Sequence, residues 1–209
     1  MAGAVGALEV VHCDDALIVV AKPAGLLSVP GRGADKQDCA AARVQRRWPD
    51  ALVVHRLDEA TSGLLLFARG LEAQRRLSRA FETGMVDKRY VAVVQGRVDA
   101  EAGRIELPLA ADWPRRPRQR VAHDDGKPAA TDWQMIERGA ATTRLALQPR
   151  TGRTHQLRVH LAAIGHPILG DALYGDAGSA TRLLLHACEL SFVHPRDATR
   201  SRFESPPPF

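Results

Sequence analysis

The order of apolar and polar positions divides the chain into many short strands and few helices. LEVVHC and ALIVVAK lie on either side of Asp14-Asp15, which predicts a hairpin. KPAGLLSVPGR is broken by Pro23, Gly25, Pro30 and Gly31 and predicts a loop. A helix is expected over Lys36 to Trp48. Leu64 to Ala68 is a short, continuous apolar run, the pattern of a strand covered on both faces. Over Leu71 to Thr83 the residues Ala73, Leu77, Ala80 and Phe81 fall on one stripe and Gly84 follows as a stop, so an amphipathic helix is expected there.

KRYVAVVQG predicts a strand with Tyr90, Ala92 and Val94 on one face. RIELPL, RQRVAH, ATDWQMIE and TTRLALQ are separated by turns and are expected to be further strands. THQLRVHLAAIGHP predicts a helix capped by Thr154, with Leu157, Leu161 and Ile164 facing inwards and Gly165 ending it. RLLLHACELSFVHP returns to strand. Strands predominate and no regular strand–helix–strand alternation appears. The expected class is therefore α+β, with a mixed, largely antiparallel central sheet and flanking helices and loops.

A chain of 209 residues has room for one sizeable core, or a core with a lobe. The expectation is a single domain over residues 8–204, with loose termini at 1–7 and in the Pro-rich 205–209. No apolar segment is long enough to span a membrane, and the N-terminus shows no secretion signal, so a cytoplasmic protein is expected. Cys13, Cys39 and Cys188 have neither zinc-ligand nor redox spacing, and His155 and His160 are too poorly aligned to share a metal. No metal site is expected.

Charge adds a ligand class. There are 29 Lys+Arg against 24 Asp+Glu, a formal +5, and only Lys22, Lys36, Lys88 and Lys127 are lysines. Arginine suits phosphate and stacked-base contacts. DWPRRPRQR concentrates Arg115, Arg116, Arg118 and Arg120 around two prolines, which exclude a regular helix. An extended loop presenting guanidinium groups to an anionic ligand is expected, the other reading being a merely solvated loop.

The chemistry centres on VHRLDEATSGLLLFA, where Asp58 stands two residues from Arg56 at the mouth of the apolar run. A kinase loop would have no Leu57 and would carry Asn where Gly63 stands, and no G-x-S-x-G or Walker motif exists. A two-acid glycosidase needs a second positioned carboxylate, and Glu59 points elsewhere in an extended segment. A lone carboxylate among arginines stays ionised, which suits a nucleophile. A structural ion pair is the other reading.

HRLDEATSGLLLFA resembles the H-R-L-D-x-x-T-S-G signature of the RluA-type pseudouridine synthases. VVAKPAGLLSVPGR, DKRYVAVVQG, TGRTHQLRVHLAAIGHPILGDALYG and RLLLHACELSF resemble further blocks of that family, in the family's order. LSVPGR, LPLAADWPRRPRQR and GKPAATDW are similar to its dual-specificity rRNA/tRNA subgroup. The resemblance implies the family's catalytic fold, with an active-site cleft across the sheet and no separate N-terminal RNA-binding domain. It implies isomerisation of uridine to pseudouridine in RNA, with no cofactor or metal, since the product is an isomer. The implied substrates are the tRNA anticodon stem-loop and a similar hairpin of 23S rRNA, with no obligate protein partner. A synthase for only one of these RNAs, or a catalytically silent RNA-binding protein of the same fold, is the alternative. A nucleoside hydrolase would need a second acid or a metal.

The resemblance makes Asp58 the nucleophile, attacking either the uracil ring or the anomeric carbon. It makes Tyr90 the tyrosine that stacks on the uracil, and Arg158 the arginine that pairs with the catalytic aspartate. Leu184 or Leu185 would wall the uracil pocket. Arg56 would enter the RNA and hold the target base flipped, with a plain phosphate contact as its other reading. His55, Arg115, Arg116, Arg118, Arg153 and His155 complete the expected RNA contacts.

Overall fold

The computed structural model describes residues 8–209, so the expectation for residues 1–7 lies outside the described residues. In chain order the strands and helices are β1 (Glu9–Cys13), β2 (Leu17–Lys22), α1 (Ala40–Arg47), β3 (Ala51–Val53), β4 (Ser62–Arg69), α2 (Leu71–Glu82), β5 (Asp87–Gln95), β6 (Ala102–Glu106), β7 (Leu109–Ala111), β8 (Gln119–Val121), β9 (Ala130–Arg138), β10 (Thr142–Pro149), α3 (Gln156–Ala163), β11 (Leu185–Val193) and β12 (Arg200–Glu204). The α+β class holds, and every strand pair whose register is described is antiparallel. The described chain falls into two compact units, residues 8–87 with Ala187–Pro206, and Lys88–His186 with Pro207–Phe209.

In the first unit β2 lies between β1 and β4, β3 pairs with β4, and β12 pairs with β11. The predicted hairpin forms because Asp14 Oδ1 accepts the N–H groups of Ala16 (2.7 Å) and Leu17 (2.9 Å), closing the turn. Burial alone would raise the Asp14 pKa. Hydrogen bonds from His12, from these two backbone groups and from His194 outweigh it and lower the pKa to about 2.

Seven of the eight β4 residues are buried, as the apolar run implies. α2 lays Ala73 and Leu77 on a core with Leu64, Leu66 and Phe192, and Ala80 and Phe81 pack at its edge. α1 begins four residues later than expected. The segment before it is spent on a 3₁₀ turn, Ala34–Lys36, closed by the Gly31 N–H to Lys36 carbonyl bond. Cys39 then caps α1, its sulfur accepting the Ala42 N–H at 3.3 Å. The N–H of Ser205 in the tail donates to the Cys188 carbonyl at 2.9 Å.

In the second unit the order is β5-β10-β9-β6, and β7 and β8 form a separate two-stranded ribbon. The end of the tail is held here, contrary to the expected loose terminus. The Phe209 carbonyl accepts from Arg144 Nη2 (2.7 Å), and its ring lies beside the guanidinium groups of Arg144 and Arg182.

α3 departs furthest from its pattern. His155, in a left-handed conformation (φ 54°), precedes the helix in place of Thr154, and Ile164 is 38% exposed. Gln156 to Leu161 are all buried, so there is no polar face. The polar members can be enclosed because each is hydrogen-bonded. Gln156 Nε2 donates to the Ala130 carbonyl (2.9 Å) and Thr131 Oγ1 (3.0 Å), and His160 bonds Thr131 Oγ1 (2.9 Å) and the Leu107 carbonyl (3.0 Å).

Burial lowers the His160 pKa, outweighing the opposing bond to Leu107. An unfolded histidine titrates near 6.5, so below that pH the unfolded chain takes up the proton first and the fold loses stability. The urea midpoint of the wild type is expected to fall between about pH 7 and pH 5, and to fall less in His160→Gln. Equal falls in the two proteins would remove His160 as the cause.

Candidate active site

In the first unit Asp58 lies in the irregular segment between β3 and β4, half-buried, with Arg56 and Glu59 exposed on either side. The backbone around it is fastened from the KPAGLLS loop. Ser28 Oγ accepts the Leu57 N–H (3.0 Å) and donates to the Leu57 carbonyl (2.7 Å). Lys22, 1% exposed, donates to the carbonyls of Pro23 (2.9 Å), Leu26 (2.7 Å) and Glu59 (3.0 Å). The Gly25 N–H shares that Glu59 carbonyl at 2.8 Å, and the Thr61 N–H closes a turn on the Asp58 carbonyl at 3.1 Å. Asp58 is thus carried on a backbone bound on both sides, which fixes where its carboxylate can reach.

Gly63 shows why the Thr-Ser-Gly turn ends in glycine. Its φ is +115°, and a Cβ there would run into the backbone oxygen and nitrogen of Ala187 on β11. Only glycine lets β4 approach β11 at this point.

His55, expected to touch RNA, is half-buried, with its ring tied into the first unit. Its Nε2 accepts the Leu66 N–H of β4 at 3.0 Å, and its ring stacks on Phe81 at 4.3 Å between centroids. The ring closes the packing of α2 on β4 while satisfying a strand N–H.

In the second unit Tyr90 is half-buried on β5 opposite Leu147 of β10. Lys88, on the same face two residues earlier, has its pKa lowered by desolvation. Leu185 is buried and Leu184 half-buried, and the Leu184 carbonyl accepts the Val93 N–H at 3.1 Å.

Arg158 is not a surface arginine; it is 5% exposed and forks onto Asp171. Nε donates to Oδ2 at 2.8 Å and Nη2 to Oδ1 at 2.7 Å. Burial alone would raise the Asp171 pKa. The Arg158 fork and the N–H groups of Leu173 and Tyr174 outweigh it and hold the carboxyl below the ordinary range.

Tyr174 stands beside this pair. Its hydroxyl accepts the Gln119 N–H (2.7 Å) and bonds His155 Nδ1 (2.7 Å), and the guanidinium groups of Arg158 and Arg118 lie 5.2 Å and 5.5 Å from its ring. Asp171, Tyr174, Lys22 and Ser28 were not singled out in the sequence, although the GDALYG stretch carries two of them in one quoted block. Arg153 is exposed and held at one point, Nε donating to the Pro128 carbonyl at 3.1 Å.

Of the arginines expected on an extended loop, Arg115, Arg116 and Arg118 sit on the connection of the β7–β8 ribbon, which includes a 3₁₀ turn, Trp113–Arg115, and Arg120 lies on β8 itself. The strand expected at RQRVAH forms as β8. Asp112, 6% exposed, anchors the turn through Arg115 Nε at 2.9 Å. Arg116 lies 3.5 Å over the Trp113 ring, and Arg120 pairs with Asp125 at 2.9 Å.

Residues 16–163 match the family described as RNA pseudouridylate synthase. The chain is 48% identical over 196 residues to the dual-specificity RNA pseudouridine synthase RluA of Vibrio vulnificus, covering 90% of this chain and 78% of that protein. To the protein of the same name from Escherichia coli K12 it is 46% identical over 206 residues, covering 97% of this chain and 94% of the relative. Among solved structures, human RNA pseudouridylate synthase domain containing 1 superposes with a TM-score of 0.82 at 29% identity, over 100% of this chain and 87% of the human one.

Proposed function

The chain belongs to the RNA pseudouridylate synthase family as an RluA-type member, and from that premise we propose that it isomerises uridine in two RNAs, the tRNA anticodon stem-loop and a similar hairpin of 23S rRNA. It is an RNA uridine isomerase, and RNA is its substrate class. The working place of such an enzyme is the cytoplasm, and residues 8–204 act as one catalytic domain. No helix among the described residues is long and apolar enough to cross a membrane.

Asp58 is the nucleophile. The observation that supports this most directly is the backbone clamp on Leu57 and Glu59, which holds a carboxylate in place on a segment without regular structure. In the reaction the bond between uracil N1 and the anomeric carbon breaks. A bond from ring carbon 5 to the anomeric carbon forms, the carbon-5 proton leaves to solvent, and N1 takes up a proton from solvent, while the bond made to Asp58 is broken again. Every atom of the uridine is retained apart from exchanged protons, so the step needs no redox partner or energy source. Tyr90 stacks on the uracil, Arg158 supports the charge of the catalytic aspartate, and Leu184 and Leu185 supply apolar wall. Tritium release from carbon-5-labelled uridine in each of the two stem-loops tests the reading. Release from one RNA alone would narrow the substrate, and release from neither would overturn it.

Arg56 is exposed, two residues from Asp58, and we assign it to the space that the flipped base vacates. Arg56→Lys keeps the charge and loses the planar fork that stacks and bonds base edges. The Lys variant is expected to bind the stem-loop within about threefold of wild type and to turn it over at least about tenfold more slowly, a barrier increase of about 1.4 kcal/mol. A 2-aminopurine beside the target uridine reports unstacking. Normal unstacking and turnover in the Lys variant would reduce Arg56 to a phosphate contact.

A further inference from the structure

The most exposed large aromatic residue of the described chain is Trp113, 68% exposed. An exposed indole offers a ligand a large apolar face with a polar edge. Here it is also placed deliberately. Asp112 beneath it is buried and held by three bonds: its N–H to the Arg118 carbonyl (2.9 Å), its carbonyl from the Arg115 N–H (3.0 Å), and its carboxylate from Arg115 Nε (2.9 Å). The ribbon tip that presents the ring is therefore fixed, although residues 113–117 are all exposed.

Around the ring the exposed charges are guanidinium groups, the one neighbouring carboxylate, Asp112, being buried and paired with Arg115. Arg116 lies flat enough to bring its guanidinium carbon 3.5 Å from the centroid, and Arg115 and Arg118 flank it in the chain. Arg118 is itself steadied 5.5 Å from the Tyr174 ring. A protein partner with a matching apolar pocket would have to bury three guanidinium groups around one indole. An unpaired nucleobase on a phosphate chain needs no such concession: its face covers the indole or the guanidinium plane, and its phosphates meet the flanking arginines.

We propose that the tip of the β7–β8 ribbon is a stacking site for an unpaired base of the RNA substrate, with Trp113 as the platform and Arg116 as the second plane. The proposal rests on the RNA-modifying function and adds a contact that reads single-stranded character. Phosphate contacts alone do not distinguish a loop from a paired stem, whereas a stacking platform engages only a base that has left its stack.

The test uses the full chain as wild type, Trp113→Ala and Trp113→Phe, with a uridine oligomer and a fully paired RNA duplex of the same length as probes. Trp113→Ala is expected to bind the oligomer on the order of tenfold more weakly, to bind the duplex like wild type, and to keep the wild-type slope of affinity against salt. Trp113→Phe should retain most of the oligomer affinity. In titrations followed by tryptophan emission, Trp113→Phe should lose most of the quenching that the oligomer causes in wild type, leaving what Trp48 and Trp133 contribute. Unchanged oligomer affinity in Trp113→Ala would overturn the proposal, as would an equal loss on oligomer and duplex. Tritium release by the wild type is measured alongside. If it is absent, the function assigned above fails whatever the binding shows; if it is present and Trp113→Ala binds normally, only the stacking site fails.

Discussion

Asp58→Asn is expected to abolish tritium release from carbon-5-labelled RNA, with a rate loss of at least about a thousandfold, or about 4 kcal/mol of barrier. An amide has no anionic oxygen to form the covalent bond to the uridine. RNA affinity should stay within about threefold, since the arginines proposed to meet phosphates are untouched. The urea midpoint should also move little, because the clamp around residue 58 runs through backbone atoms, Lys22 and Ser28, all of which the near-isosteric substitution leaves in place. Activity within about tenfold of wild type would remove Asp58 from the nucleophile's role. Loss of fold and activity together would make it a structural residue.

Asp171→Ala should have the largest effect on stability. It leaves the Arg158 guanidinium, 5% exposed, without the carboxylate that now takes two of its donors. Breaking a buried pair from one side costs about 3–5 kcal/mol, against a total stability of roughly 5–15 kcal/mol for an ordinary domain. Urea unfolding should show a midpoint lowered by a large fraction of its wild-type value.

The double variant Arg158→Met/Asp171→Leu removes both charges together and should recover much of that loss. The recovery is partial, because Asp171 Oδ1 also accepts the N–H groups of Leu173 (2.9 Å) and Tyr174 (3.2 Å). If the double variant folds and still fails to release tritium, Arg158 acts in the chemistry as well as in the fold. If it folds and works, the pair is structural only. A midpoint for Asp171→Ala within about 0.5 kcal/mol of wild type would show that the buried fork contributes nothing net.

What could be read in the sequence is what is local to it. α2 was legible because its apolar residues recur at the helical period and solvent covers its other side, so burial and sequence pattern coincide. β4 was legible because an unbroken apolar run of that length fits a strand buried on both faces. The family was legible because the residues from His55 to Gly63 that carry the resemblance are consecutive, and it is by that resemblance that Asp58 is proposed as the nucleophile.

The tertiary structure decided everything whose partners lie far along the chain. Lys22 reaches across 37 residues to Glu59, Ser28 across 29 to Leu57, and Arg158 across 13 to Asp171. No periodicity records such pairs. α3 could not be read correctly because its burial does not follow its polarity. Gln156, Arg158 and His160 are enclosed, each neutralised or hydrogen-bonded by a group outside the helix, while Ile164 is left outside. The bonds of His55 were hidden for the same reason, since the strand N–H and the Phe81 ring that hold its half-buried imidazole lie far along the chain. A polar side chain is drawn inwards when the fold supplies its partner, and that supply is a property of the assembled chain, so local sequence signals the apolar core and the reactive segment but not the bonds that hold them in place.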